Sequence, residues 1–192
     1  MSIFSQPLSR AKAGARLSDS DCLSLADYDD VNTLMAIASE SRDRGHGSTI
    51  SYSRKVFIPL TKLCRDSCHY CTFAHPPKAG ERCFMTPDEV LAVAQAGMDA
   101  GCREALFTLG DKPEDRYRVA QRELTELGHQ TTISYLIAMA SLVLERTTLL
   151  PHLNPGVASS KEIAAMRRVS VSQGLMLETG AERLSKKGGP HF

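Results

Sequence analysis

Three thiols sit close together in Cys64-Arg-Asp-Ser-Cys68-His-Tyr-Cys71, a C-x3-C-x2-C spacing within a short polar loop. Thiolates are the preferred ligands of iron–sulfur clusters and zinc, and spacing this tight lets one loop wrap a single soft metal centre. A ferredoxin cubane takes four protein thiolates, yet no further cysteine follows this run at C-x3-C-P spacing. One iron of a cluster held here would therefore stay open to a small molecule. A second arrangement is also open. His75 follows Cys71 at x3 spacing, so Cys64, Cys68, Cys71 and His75 make a Cys3His zinc set, although structural zinc loops usually bring their ligands as two separated pairs. A disulfide framework is disfavoured, because nothing at the N-terminus resembles a secretory signal. Cys22, Cys83 and Cys102 lie apart from the trio and read as structural.

The rest of the composition is that of an ordinary globular chain. Its 192 residues suffice for one domain with a real core, and 42% hydrophobic residues with a formal charge of +1 argue against disorder and against a nucleic-acid partner. No apolar run approaches the roughly 18–20 residues of a membrane helix, so a soluble, cytoplasmic protein without a membrane partner is expected.

The elements that must hold the loop can be read in order. Residues 1–17 look like a flexible N-terminal arm. Residues 18–49 look like a helical cap: Ser18-Asp-Ser-Asp21 is a capping box, and Val31, Leu34, Met35 and Ala38 form an apolar stripe. Residues 50–192 carry the strand–helix alternation. Ile50 to Leu60 is rich in β-formers and runs directly into the cysteines. Thr86-Pro-Asp-Glu89 opens a helix, and Glu104 to Gly110 reads as a strand covered on both faces. A helix follows Asp111-Lys-Pro-Glu-Asp115, another spans Thr132 to about Glu145, and Thr148 to Asn154 reads as a third strand ended by Pro155-Gly156. A short helix opens at Ser160, and Val169 to Leu177 reads as a fourth strand with Glu178 at its carboxyl end. Strand and helix alternate four times, which implies an α/β fold with a parallel sheet. Ligands of such sheets lie beyond the carboxyl ends of the strands, where the cysteine loop sits.

The loop resembles the radical-SAM signature, with Tyr70 as the aromatic residue before the last cysteine. Further segments carry a closer likeness: Ser51 to Cys64, Cys71-Thr-Phe, Phe107-Thr-Leu-Gly-Asp-Lys-Pro-Glu114, Leu150-Pro-His-Leu-Asn-Pro-Gly156 and Gly174-Leu-Met-Leu-Glu-Thr179. Together they resemble the FO synthase family, in its CofG-type subunit or the N-terminal half of its fused form, over roughly residues 28–192.

The resemblance implies a partial (β/α) TIM-like radical-SAM barrel, about four of six βα units, behind the helical cap. It implies a [4Fe-4S] cluster on Cys64, Cys68 and Cys71, and S-adenosyl-L-methionine as cofactor. It implies a lyase that closes the deazaflavin FO of coenzyme F420 biosynthesis from a hydroxybenzyl–ribitylaminouracil adduct, with release of ammonia. The partners it implies are a small-molecule substrate, a CofH-type subunit or fused half that makes the adduct, and a reductant protein. Tyr70 matches the position near the adenine, and Gly110 and Asp111 the segment that receives the methionine amino group, where an acid suits an ammonium and a glycine suits close approach. Glu178 matches the carboxylate for the ribose hydroxyls. On the residues alone, Asp111 also reads as the start of the next helix, and Glu178 as an N-terminal helix charge. His69, His75, His129 and His152 are of the residue type that most often serves in acid–base chemistry, but none is assigned a catalytic role. The family barrel has six units where this chain carries four strands, so a truncated product with little FO synthase activity alone is expected. Another radical-SAM reaction, a zinc module or an inactive fragment are the alternative readings. Thr148 stands where the family pattern leads one to expect glycine.

Overall fold

The computed structural model describes residues 3–191; residues 1, 2 and 192 lie outside the described residues. The chain divides into two compact units between Tyr52 and Ser53.

The first unit holds three helices, α1 (Ser5–Lys12), α2 (Asp19–Leu25) and α3 (Val31–His46). The segment read as a loose arm therefore contains a helix. Pro7 is buried in its first turn, and Phe4 packs on Tyr28 at 5.1 Å between ring centroids, which holds the segment down. Ser18 caps α2 as its spacing predicts: its hydroxyl accepts from the Asp21 N–H at 3.2 Å, and its own N–H donates to the Asp21 carboxylate at 3.0 Å. The stripe expected on α3 is displaced. Val31 and Met35 are 58% and 64% exposed while Ile37 is buried, so the inner face runs through Leu34, Ile37 and Ser41.

The second unit is a four-stranded parallel sheet in the order β1-β2-β3-β4, formed by β1 (Lys55–Pro59), β2 (Glu104–Thr108), β3 (Leu150–Asn154) and β4 (Ser172–Gln173). Crossovers run through α4 (Pro87–Asp99), through α5 (Arg118–Glu126) and α6 (Thr132–Arg146), and through α7 (Ser160–Met166). Register places Phe57, Leu106, His152 and Ser172 in one row across the sheet. Side chains alternate along each strand, and only one face is covered by helices. Ile58, Ala105, Phe107 and Leu153 are fully buried on that face, whereas Phe57 is 47% exposed and Leu106 and His152 are half-buried on the other. The expectation that β2 is covered on both faces is thus corrected: its burial alternates, and the face opposite the helices is left more open.

Helix starts follow local chemistry. Thr86 and Glu89 cap α4 reciprocally with Pro87 in the first turn, and Ser159 and Glu162 do the same for α7. Helix α4 reaches β1 because Gly97 has no side chain: a β-carbon there would stand 2.5 Å from the Val56 Cβ. Phe107, Leu136, Val143 and Leu153 share one core with Val90 and Ala94, each large side chain stabilising by about 1.5–3 kcal/mol on burial. The fourth strand is much shorter than Val169 to Leu177. It pairs only with His152 and Leu153, and Leu175, Met176 and Leu177 beyond it are exposed. Among the described residues no helix is long and apolar enough to cross a membrane.

Candidate metal centre

Beyond β1 the chain stays anchored before it enters the cysteine loop. Leu60, Thr61 and Leu63 are buried, and the Leu60 carbonyl accepts from the Met85 N–H at 2.9 Å. The His75 N–H donates to the Lys62 carbonyl at 3.1 Å, which closes the loop at its neck. Between these points lie the three thiols, all free. Cys64 and Cys68 are half-buried and Cys71 is exposed. Burial pushes both the Cys64 and the Cys68 thiol above the ordinary range, the Asp66 carboxylate adding to the effect at Cys68.

The second strand grips this loop. The Gly110 N–H donates to the Thr61 carbonyl at 3.0 Å, and a β-carbon on Gly110 would lie 1.9 Å from the Leu63 carbonyl oxygen. Only glycine admits that approach. The next residue makes three links. The Asp111 N–H donates to the Cys64 sulfur at 3.3 Å, its carbonyl accepts from the Arg65 N–H at 2.9 Å, and its Oδ2 accepts from Arg65 Nε at 3.0 Å and pairs with Nη2 at 2.8 Å. The Asp111 side chain is buried against Gly156, whose missing β-carbon would stand 2.9 Å from Asp111 Cγ. Burial raises its carboxyl above the ordinary range while the Arg65 guanidinium opposes that shift. Oδ1 is buried and has no hydrogen-bond partner among the described residues. Lys112 then turns the chain in the left-handed region at φ 36°, unusual for a residue with a side chain.

This donor set fits a cluster better than a single ion. Three soft thiolates come from one loop, whereas among the described residues no three Cys, His, Asp or Glu side chains are placed to hold one metal ion. A cubane spreads its ligands over separate irons, so its thiolates need not converge on one point. Among the described residues Cys64, Cys68, Cys71 and His75 are not brought together as the ligands of one ion, and His75 Nδ1 contacts the Pro76 carbonyl at 3.0 Å. A cavity of about 250 Å³ opens beside Cys64 and Cys68, bordered by Ala74, His75 and Tyr117.

The other residues singled out from the sequence are distributed around this centre. Tyr70 is 47% exposed and packs its ring edge on His191 at 4.7 Å, while burial and then the Glu178 charge push its hydroxyl above the ordinary range. Glu178 is exposed and lies past the short β4 in a segment without regular structure, so it does not sit at the end of a strand; its charge nevertheless reaches Tyr70. The His69 N–H donates to the Pro190 carbonyl at 3.0 Å. His129 packs on Tyr135 and belongs to the helical layer. His152 stands on the open face with Nδ1 against the Ser172 hydroxyl, and burial, then the Lys55 charge, lowers its pKa.

Arg65, Arg116 and Gly156 escaped the sequence reading. Arg116 donates to the Arg65 carbonyl at 3.0 Å and to the Ser67 hydroxyl at 2.6 Å, a second hold on the loop. The adjacency of Arg65 to Cys64 was the available signal, and Gly156 was visible as a turn residue and as the end of a resembling segment, with no sign of its contact to Asp111.

No protein-family model matches the chain. It is 50% identical over 202 residues to the FO synthase of Nocardia farcinica, an alignment covering 99% of this chain and 23% of that protein. It is 44% identical over 142 residues to the 7,8-didemethyl-8-hydroxy-5-deazariboflavin synthase of Methanopyrus kandleri, covering 74% of this chain and 42% of that protein. The chain thus spans less than half the length of these relatives. Among solved structures, HydG, a maturase of the [FeFe]-hydrogenase, superposes with a TM-score of 0.71 over 98% of this chain and 40% of its own, at 14% identity. That likeness concerns the α/β partial-barrel fold.

Proposed function

We propose, from the premise that this chain is a relative of the FO synthases over almost its whole length, that it is the cluster-binding part of a radical-SAM enzyme of coenzyme F420 biosynthesis. The observation that carries the reading is the trio Cys64, Cys68 and Cys71 on a loop that the second strand holds through Gly110 and Asp111. These thiols would hold the [4Fe-4S] cluster and leave one iron for S-adenosyl-L-methionine. When bound, that pair of cofactors supplies reductive cleavage to methionine and a 5′-deoxyadenosyl radical.

The chain's own groups have separate tasks. The unpartnered Oδ1 of Asp111 is the acceptor for the methionine ammonium, because an unpaired buried carboxylate oxygen is stabilised strongly by a charged donor. Tyr70, beside the thiols, lies near the adenine, and Glu178, whose charge reaches Tyr70, takes the ribose hydroxyls. The open face carrying Phe57, Leu106 and His152 forms the wall of the substrate chamber, and its apolar part excludes water from a radical. The substrate is the hydroxybenzyl–ribitylaminouracil adduct. A CofH-type subunit or fused half supplies it, and a reductant protein delivers the electron.

Anaerobic reconstitution with iron and sulfide, followed by assay of 5′-deoxyadenosine and of FO with the adduct supplied, tests this reading. Cleavage of S-adenosyl-L-methionine that depends on all three cysteines supports it. Little FO is expected from this chain alone, and a reconstituted cluster that never binds the cofactor rules the reading out.

A further inference from the structure

We propose that Arg65 and Asp111 are a positioning pair for Cys64, so that the loop takes up its metal centre from one preset thiol and recruits Cys68 and Cys71 to it. This rests on the cluster reading for the identity of the metal, but the inequality of the three thiols belongs to the metal-free chain.

The three sulfurs are held very differently. Cys64 is half-buried, and its sulfur receives the Asp66 N–H from within the loop and the Asp111 N–H at 3.3 Å from the segment that follows β2. The exposed Cys71 sulfur receives only the Ala74 N–H at 3.5 Å, and Cys68 is linked to Cys71 through a backbone turn at 3.2 Å; both contacts lie inside the loop. Cys64 is therefore referenced to the sheet, whereas the other two are referenced to each other.

The side chains make that reference rigid. Arg65 places a planar guanidinium against Asp111 Oδ2 with Nε at 3.0 Å and Nη2 at 2.8 Å, and its Nη1 reaches Asp115 at 3.1 Å. A fork of this kind fixes orientation as well as distance, which a lysine cannot do. The Arg65 N–H returns to the Asp111 carbonyl at 2.9 Å, so the Asp111 backbone donates to the Cys64 side chain and accepts from the Arg65 backbone. Gly156 leaves the space into which the Asp111 carboxylate fits. Groups that orient a metal ligand in this way usually change metal affinity by about 10–100-fold when removed.

Alkylation of the full-length metal-free chain with iodoacetamide, followed residue by residue by mass spectrometry, tests the proposal without a cluster. In the unmodified sequence Cys71 reacts first and Cys64 last of the three. R65Q raises the Cys64 rate about tenfold and leaves Cys71 unchanged. Cys83, 5% exposed in the core, reports unfolding. Should it accelerate in R65Q, R65K decides instead, since it keeps the charge and loses the fork; a selective rise at Cys64 is again the expected result. After reconstitution, R65Q releases iron to a chelator about tenfold faster, and the midpoint potential of its cluster shifts. Equal rates at Cys64 and Cys71 in the unmodified chain, or a Cys64 rate that neither variant changes, would overturn the proposal. Failure of every form to bind iron would overturn the cluster reading instead, and the alkylation order would still decide this one.

Discussion

The α-carbon of Gly110 faces the carbonyl oxygen of Leu63 so closely that a β-carbon would lie 1.9 Å from it. The segment just after β2 and the entrance to the cysteine loop are thus in backbone contact, and a single added methyl group would force them apart. G110A is expected to displace the loop and weaken iron retention after reconstitution by at least about tenfold. Iron content after gel filtration, beside a circular-dichroism spectrum that stays helical, checks this. Full iron retention would show that the approach does not matter.

Helix α4 depends on another close approach. A β-carbon on Gly97 would lie 2.5 Å from the Val56 Cβ. G97A is expected to cost about 1–3 kcal/mol in urea unfolding through overpacking. G97A combined with V56A should recover part of that loss, because contacting sites are not additive.

The buried carboxylate of Glu114 accepts from the Thr132 N–H at 2.8 Å and from the Thr132 hydroxyl, which satisfies donors at the start of α6. E114A leaves those donors unpaired and is expected to cost about 1–3 kcal/mol for each group left so. Amide hydrogen exchange should rise first at the N-terminal turn of α6.

Acid should loosen the base of the sheet. Hydrogen bonding from Lys55, and then from Ser53, holds the Glu104 carboxyl below its ordinary 4.5. Because the folded-state pKa is the lower one, this contribution is complete above pH 4.5 and is lost as pH falls from there through the folded value. E104Q should therefore be less stable than the parent at pH 7, and the gap should narrow as pH falls below about 4. An unchanging gap in thermal midpoints over that range would count against the ion pair.

Much of the fold was legible because local signals and burial agreed. Thr86-Pro-Asp-Glu89 is a helix start in sequence and in structure, and Pro155-Gly156 ends β3 as its residue types require. The stripe on α3 misled because Leu34 belongs equally to a face with Ile37, and small residues give little to choose between faces. Leu175, Met176 and Leu177 read as strand because they are apolar, yet a strand needs partners, and the ladder beside His152 and Leu153 ends at Gly174. The cysteine trio was plain from spacing. The hold on it was not, since Arg65 and Asp111 stand 46 positions apart in sequence and meet only through the β1–β2 pairing.

Metal analysis of anaerobically reconstituted protein, with an electron paramagnetic resonance spectrum before and after S-adenosyl-L-methionine, bears most directly on whether Cys64, Cys68 and Cys71 hold an open cluster. The account predicts about four irons and four sulfides per chain and a reduced-state signal that changes when the cofactor is added. Stoichiometric zinc without sulfide, or a cluster signal indifferent to the cofactor, would contradict it.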